Sequence, residues 1–187
     1  MILLERSFIM RERNSLLKMI LAALFLALSY VMPFLTGQIP KLGAMLCPLH
    51  IPVLLCGFIC GPIWGLAVGA TAPLLRSLTL GMPPIFPTAV CMAFELAAYG
   101  AVSGLMNKLL PRKKPYIYVS LLTAMTVGRI VWGVAMFLFL GMNGGAFTLP
   151  MFFAGAFVDA LPGIIVQIVL IPILVMLSGD LISRKEK

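Results

Sequence analysis

Long apolar runs, separated by short polar or Gly/Pro-rich breaks, organise the whole chain. A spanning helix needs about twenty largely apolar residues. Six runs meet or approach that, at roughly 16–35, 44–60, 62–80, 86–108, 116–140 and 152–178. The breaks between them are chemically marked: "TGQIPKLG", "GP" at 61–62, "GMPPIFP", "LPRKKP" and "GMNGGAFTLP". The second run is the least regular, because Pro48 and Pro52 interrupt its hydrogen-bond ladder. The pattern predicts an all-α bundle of six transmembrane helices in a single domain, 1–187. No segment between the runs is long enough to fold separately.

The basic residues give this bundle a direction. Arg6, Arg11, Arg13 and Lys18 precede the first run, Lys108, Arg112, Lys113 and Lys114 lie between the fourth and fifth, and Arg184, Lys185 and Lys187 follow the sixth. With six crossings all three clusters fall on one side, and the other side has only Lys41. Cytoplasmic loops carry the excess of Lys and Arg, so both termini are expected in the cytoplasm.

Composition agrees. Of the 187 residues, 61% are hydrophobic and 11% charged, about half the charged share of a soluble domain, and the mean hydropathy is +1.09. The net charge of +8 sits beside apolar runs, so it points to orientation in a bilayer and away from nucleic acid. The first dozen residues carry both signs of charge, and the first apolar run has no small-residue cleavage site. No cleaved signal peptide is therefore expected, and Met10 is an alternative start. Cys47, Cys56, Cys60 and Cys91 lie in or beside apolar runs and read as small packing residues, with neither a disulfide nor a metal site expected.

Few ionisable residues remain inside the runs: His50, Arg76, Glu95, Arg129 and Asp159. A charge within the bilayer costs about 2.5–3.5 kcal/mol on insertion scales, which makes each a functional-site candidate. In the six-crossing topology His50 lies near the outer start of the second span and Arg76 near the outer end of the third. Glu95 and Asp159 lie two to three turns inward from the outer ends of the fourth and sixth. Arg129 is near the middle of the fifth. All five occupy the outer half or the midplane, on five different helices.

Three readings of these charges stay open. The four charged groups form two ion pairs that only tie helices together. Or they line a polar cavity open to the outside, as ligand contacts and as each other's counter-ions. Or they form a proton or ion relay, which would also need ionisable groups in the inner half. For His50, a bond to a backbone carbonyl freed by Pro52 competes with a ligand contact at the cavity rim. The outer loops 36–43, 81–87 and 141–150 are almost free of charge and can cover such a cavity; Asn143, in the last of them, joins the ligand-contact candidates.

Small residues recur at helical spacing. Ala23 and Ala27 in "AALFLALS" share one face, as do Gly61, Gly65 and Gly69. Such faces let helices approach closely in lipid. The glycines read as packing inside the bundle, the alanines as internal packing or a docking face for another membrane protein. No P-loop signature, H-E-x-x-H or G-x-S-x-G occurs, and no inverted repeat is evident. No cofactor is implied.

Six spans, the Ala-x-x-x-Ala of the first, and "LLCGFICGPIWGLAVGATAPLLRSL" (54–78) resemble the substrate-binding S component of an energy-coupling factor (ECF) vitamin transporter. The resemblance covers nearly the whole chain. It implies a non-enzymatic subunit of the prokaryotic plasma membrane that captures a vitamin on the outer side. The subunit then docks on a module made of one transmembrane coupling protein and two cytoplasmic ATPases, which supplies the energy and fits the missing P-loop. The resemblance maps Ala23 and Ala27 onto the docking motif, makes 36–43 a lid, and places the ligand among Glu95, Arg129 and Asp159, with Arg76, His50 and Asn143 as further contacts. "MPPIFPTAVCMAFELAAYG" (82–100) is similar to members taking pyridoxine-type vitamins or pantothenate. Two other function classes compete: a stand-alone ion- or proton-coupled transporter, and a small intramembrane enzyme using Glu95 or Asp159 as acid–base groups.

Overall fold

A computed structural model describes residues 2–36, 39–111, 113–142 and 147–184. Its elements are helical throughout: α1 (Ile2–Val31), α2 (Pro40–Leu46), α3 (His50–Cys60), α4 (Pro62–Leu80), α5 (Val90–Leu109), α6 (Lys114–Met142), α7 (Leu149–Phe153) and α8 (Leu161–Arg184). A 3₁₀ turn follows α1 at Met32–Thr36, and wider π turns occupy Ile85–Ala89 and Ala154–Val158.

Among the described residues, five helices are long and apolar enough to cross a membrane: Ser15–Leu35, Pro62–Leu80, Ile85–Leu109, Lys114–Leu140 and Leu161–Ser178. The run expected as a second span, 44–60, is instead two pieces, α2 and α3. The chain breaks at Cys47, which caps α2 in the left-handed conformation (φ 46°), and restarts at His50 after Pro48. Pro52 falls in the first turn of α3, where its missing N–H costs no helical bond. The interruption therefore lies before His50, not across Pro52. At about 1.5 Å per residue the 11-residue α3 spans roughly 16 Å, half of a hydrocarbon core.

Its shortness is tolerated because protein surrounds it. Ile51, Leu54, Leu55 and Phe58 enter one apolar cluster with Tyr99, Leu121 and Ile171. Leu49, just before α3, and Val53, Cys56 and Cys60 within it enter a second cluster with Ala22, Val68 and Leu96. A helix apolar on every face belongs in a core. The long helices, in contrast, carry exposed Leu, Ile, Val and Phe on their outer faces, as contact with lipid requires.

The sixth expected span also starts later than its run. Pro162 has no N–H to give the preceding turn, the chain turns at Asp159 and Ala160, and α8 begins at Leu161. Asp159 thus caps a π turn and is exposed; it is not two or three turns inside a continuous helix.

Backbone proximity holds the centre of the bundle. Gly61 links α3 to α4 at φ 99°, a region that favours glycine, and Pro62 starts the next helix. A Cβ added to Gly65 would strike the Gly100 carbonyl, and one added to Gly100 would strike Gly65, so α4 and α5 touch backbone to backbone. The expected packing role of Gly65 and Gly69 is realised here: Gly65 meets Gly57 and Gly100, and Gly69 meets the Leu96–Ala97 backbone. Gly100→Ala is expected to destabilise the purified protein by about 1–3 kcal/mol through overpacking. A thermal melt in detergent checks this, and an unchanged midpoint would mean the two helices separate there without penalty.

Candidate functional site

The two ends of the bundle differ. Exposed Lys108, Lys113 and Lys114 mark the end where α5 meets α6, and Gly61 packs near the Lys108 stem there. A cavity of about 550 Å³ opens toward the other end, within the size range of small-molecule sites. Its walls come from the 3₁₀ turn (Pro33), α2 (Gly43), the α2–α3 break (Cys47, Pro48, Leu49), the α4–α5 connection (Met82, Pro83, Pro84), and the start of α5. Ser77 Oγ donates to the Pro83 carbonyl at 2.6 Å, which ties that connection to α4.

His50, Arg76, Glu95, Arg129 and Asp159 all line this one cavity, although they are up to 109 positions apart in sequence. Asn143 lies outside the described residues. Helical spacing presents the central groups. Thr88, Met92 and Glu95 line the cavity from one face of the π turn and α5, and Tyr99 continues that face. Arg129 and Trp132 share a face of α6. Gly128 admits the Tyr99 ring, which any side chain there would strike.

Glu95 is the hub. Its Oε1 lies 3.0 Å from Arg129 Nη1 and 3.5 Å from His50 Nε2, with all three residues buried. Arg129 Nη2 also points a donor at Cys47 Sγ, at 3.8 Å. The His50 ring meets Tyr99 edge-on at 5.1 Å. The carbonyl bond expected for His50 is not made: among the described residues neither ring nitrogen has an aligned hydrogen bond. Pro52 sits where the helix has no bond to lose, so it frees no carbonyl for the ring, and the ring turns to Glu95 instead.

Of the two ion pairs that the helix-tying reading requires, one is found among the described residues, Glu95–Arg129. Arg76 goes elsewhere. It is 5% exposed, donates from Nη1 to the Tyr30 carbonyl at 3.3 Å, and lies 5.7 Å from the Phe34 ring centre in a cation–π contact. Glu95 Oε1, Arg129 Nε, both His50 nitrogens and the Tyr99 hydroxyl are buried without aligned hydrogen bonds among the described residues. The Glu95 contacts are short in distance but poorly aligned, so charge more than directional bonding holds them. Buried polar atoms left so cost about 1–3 kcal/mol each, which suits a site arranged for a polar guest.

Counting charges in the sequence missed Trp132, Thr88 and Met92. Trp132 is stacked on Phe152 with ring centres 6.2 Å apart and lies against Gly155, so it forms a rigid aromatic wall. The 88–92–95–99 and 129–132 spacings were the available signal. Gln167, fully buried in α8 without an aligned partner, was also overlooked. Ala23 and Ala27 are both exposed on α1, whereas the neighbouring Ala22 is buried. Cys56, Cys60 and Cys91 are buried packing residues.

A family model described as ECF transporter, substrate-specific component, matches residues 17–175. No curated protein and no solved structure matches the chain.

Proposed function

The chain belongs to the family of ECF transporter substrate-specific components, and we propose that it captures a small B-group vitamin or vitamin precursor, pyridoxine-type or pantothenate, in the cavity around Glu95. One observation carries this reading. Five ionisable residues from five separate segments, each costly in a bilayer, converge on one cavity of about 550 Å³. Helix-tying ion pairs alone would not need to face a common space.

Glu95, Arg129, Arg76, His50 and Asp159 are the ligand contacts, with Asn143 as a further candidate. The basic end faces the cytoplasm, as the clustering of Lys and Arg requires, so the cavity faces outward across a prokaryotic plasma membrane. The α2–α3 pair completes a sixth, broken crossing, and the 36–43 connection is the lid. Irregular backbone at this depth is tolerated where it lines a cavity, which is the situation of Cys47 and Pro48. Ala23 and Ala27 dock on the transmembrane coupling protein, and two cytoplasmic ATPases drive release.

Mass spectrometry of small molecules that copurify with the protein tests the capture. One vitamin-sized compound is expected at near-stoichiometric yield. Uptake into vesicles is expected only with the coupling protein and ATPases present. Gradient-driven uptake by the chain alone would instead establish a stand-alone transporter.

A further inference from the structure

We propose that the captured ligand is a monocarboxylate whose carboxylate docks on Arg76. This deepens the capture reading above and rests on it. Two arginines line the cavity, and their circumstances differ. Arg129 has its counter-ion in Glu95, 3.0 Å away. Arg76 is equally buried, yet no ion pair among the described residues includes it. Its neighbours are the Tyr30 carbonyl, at a long 3.3 Å, and the Phe34 ring. One guanidinium offers five donors in a fixed fork, so most of that fork remains for a guest.

The surroundings raise the demand for an anion. Pro33, Met82, Pro83 and Pro84 line the cavity with Arg76, and none carries a charge. Arg76 itself is shielded from solvent, and a buried cation without a counter-ion is costly and attracts an opposite charge. Asp159 lines the cavity too, but it is exposed and makes no ion pair with Arg76 among the described residues, so it is not a buried counter-charge. The uncompensated charge is a single positive one. A carboxylate matches it, whereas a phosphate monoester, at about −1.5 to −2, brings a second negative charge into a cavity that already holds Glu95. The fork geometry also fits a carboxylate in two parallel bonds. The rest of the ligand then lies against Met92 and Trp132, with neutral hydroxyl or amide groups toward Glu95 and His50.

The test titrates the purified full chain in detergent with acid–alcohol pairs: pantothenate against panthenol, and 4-pyridoxate against pyridoxine. The phosphate monoesters of the two alcohols, phosphopanthenol and pyridoxine phosphate, lack a carboxylate and form the phosphate arm. Within a pair that binds, the acid is expected to bind about 10- to 150-fold more tightly than the alcohol, the range for a hydrogen bond to a charged group. Arg76→Gln should erase that preference, and Arg76→Lys should retain part of it through charge without the fork. The acid–alcohol ratio in the wild type is itself decisive, so a misfolded variant does not block the test. An alcohol that binds as well as its acid overturns the proposal, as does tighter binding of the phosphate ester. If neither pair binds, the copurified compound decides. A carboxylate whose neutral analogue binds at least tenfold more weakly supports the proposal. A neutral compound overturns it while leaving capture intact, and no compound at all overturns both.

Discussion

Glu95→Gln is expected to abolish high-affinity ligand binding and to lower the stability of the purified protein by about 3–5 kcal/mol, the cost of stranding a buried charge. Glu95 is 2% exposed and approaches both Arg129 and His50 through one oxygen. The amide keeps the shape and removes the charge, so Arg129 is left buried with only uncharged groups such as Cys47 and Tyr99 beside it. Two measurements separate the effects: a thermal melt in detergent and a ligand titration. The double variant Glu95→Gln/Arg129→Gln removes both charges, so it should recover much of the lost stability while still failing to bind. Coupling of that kind is what contacting residues show. A Glu95→Gln protein with unchanged melting temperature and affinity would falsify the hub role.

Replacing Ala23 and Ala27 together with Trp is expected to stop uptake completely and to leave ligand affinity within about twofold of the wild type. The physical case is local. Both alanines are exposed on α1, so the larger side chains meet no part of this chain, and the cavity is built from other residues. Small residues spaced by four let a partner helix approach to backbone distance, and an indole prevents that approach. Uptake reconstituted with the coupling protein and ATPases, alongside binding to the isolated chain, reads the two effects apart. Retained uptake would move the docking face elsewhere on the bundle. Lost binding would mean that α1 shapes the cavity from a distance.

The same residues show how far the sequence reaches. That Glu95, Arg129, His50 and Arg76 line one cavity was among the readings legible in the sequence, because each is an expensive group in an apolar run and six crossings put them all in the outer half or at the midplane. Their pairing was not. Arg76 and Arg129 carry the same charge and line the same cavity, so only packing decides that α6 brings Arg129 to Glu95 and that α4 turns Arg76 toward α1. Trp132 was missed for a related reason: an aromatic residue in an apolar helix is cheap, so nothing in the chain marks it until Gly155 and Phe152 are found beside it.

Read one segment at a time, the chain's residues establish an all-helical protein with long apolar spans, the location of most of those spans, and which charged residues line the cavity. Hydropathy and charge act on each segment independently of its neighbours, so they can be read one segment at a time. The tertiary structure alone decided that the second run is a broken helix walled in by protein, that Asp159 is exposed at a turn, and that Glu95 holds Arg129 while Arg76 keeps no counter-ion among the described residues. These outcomes depend on which helix faces which, through backbone contacts such as Gly65 against Gly100. The energies that select those contacts belong to pairs of distant segments and appear in neither segment alone.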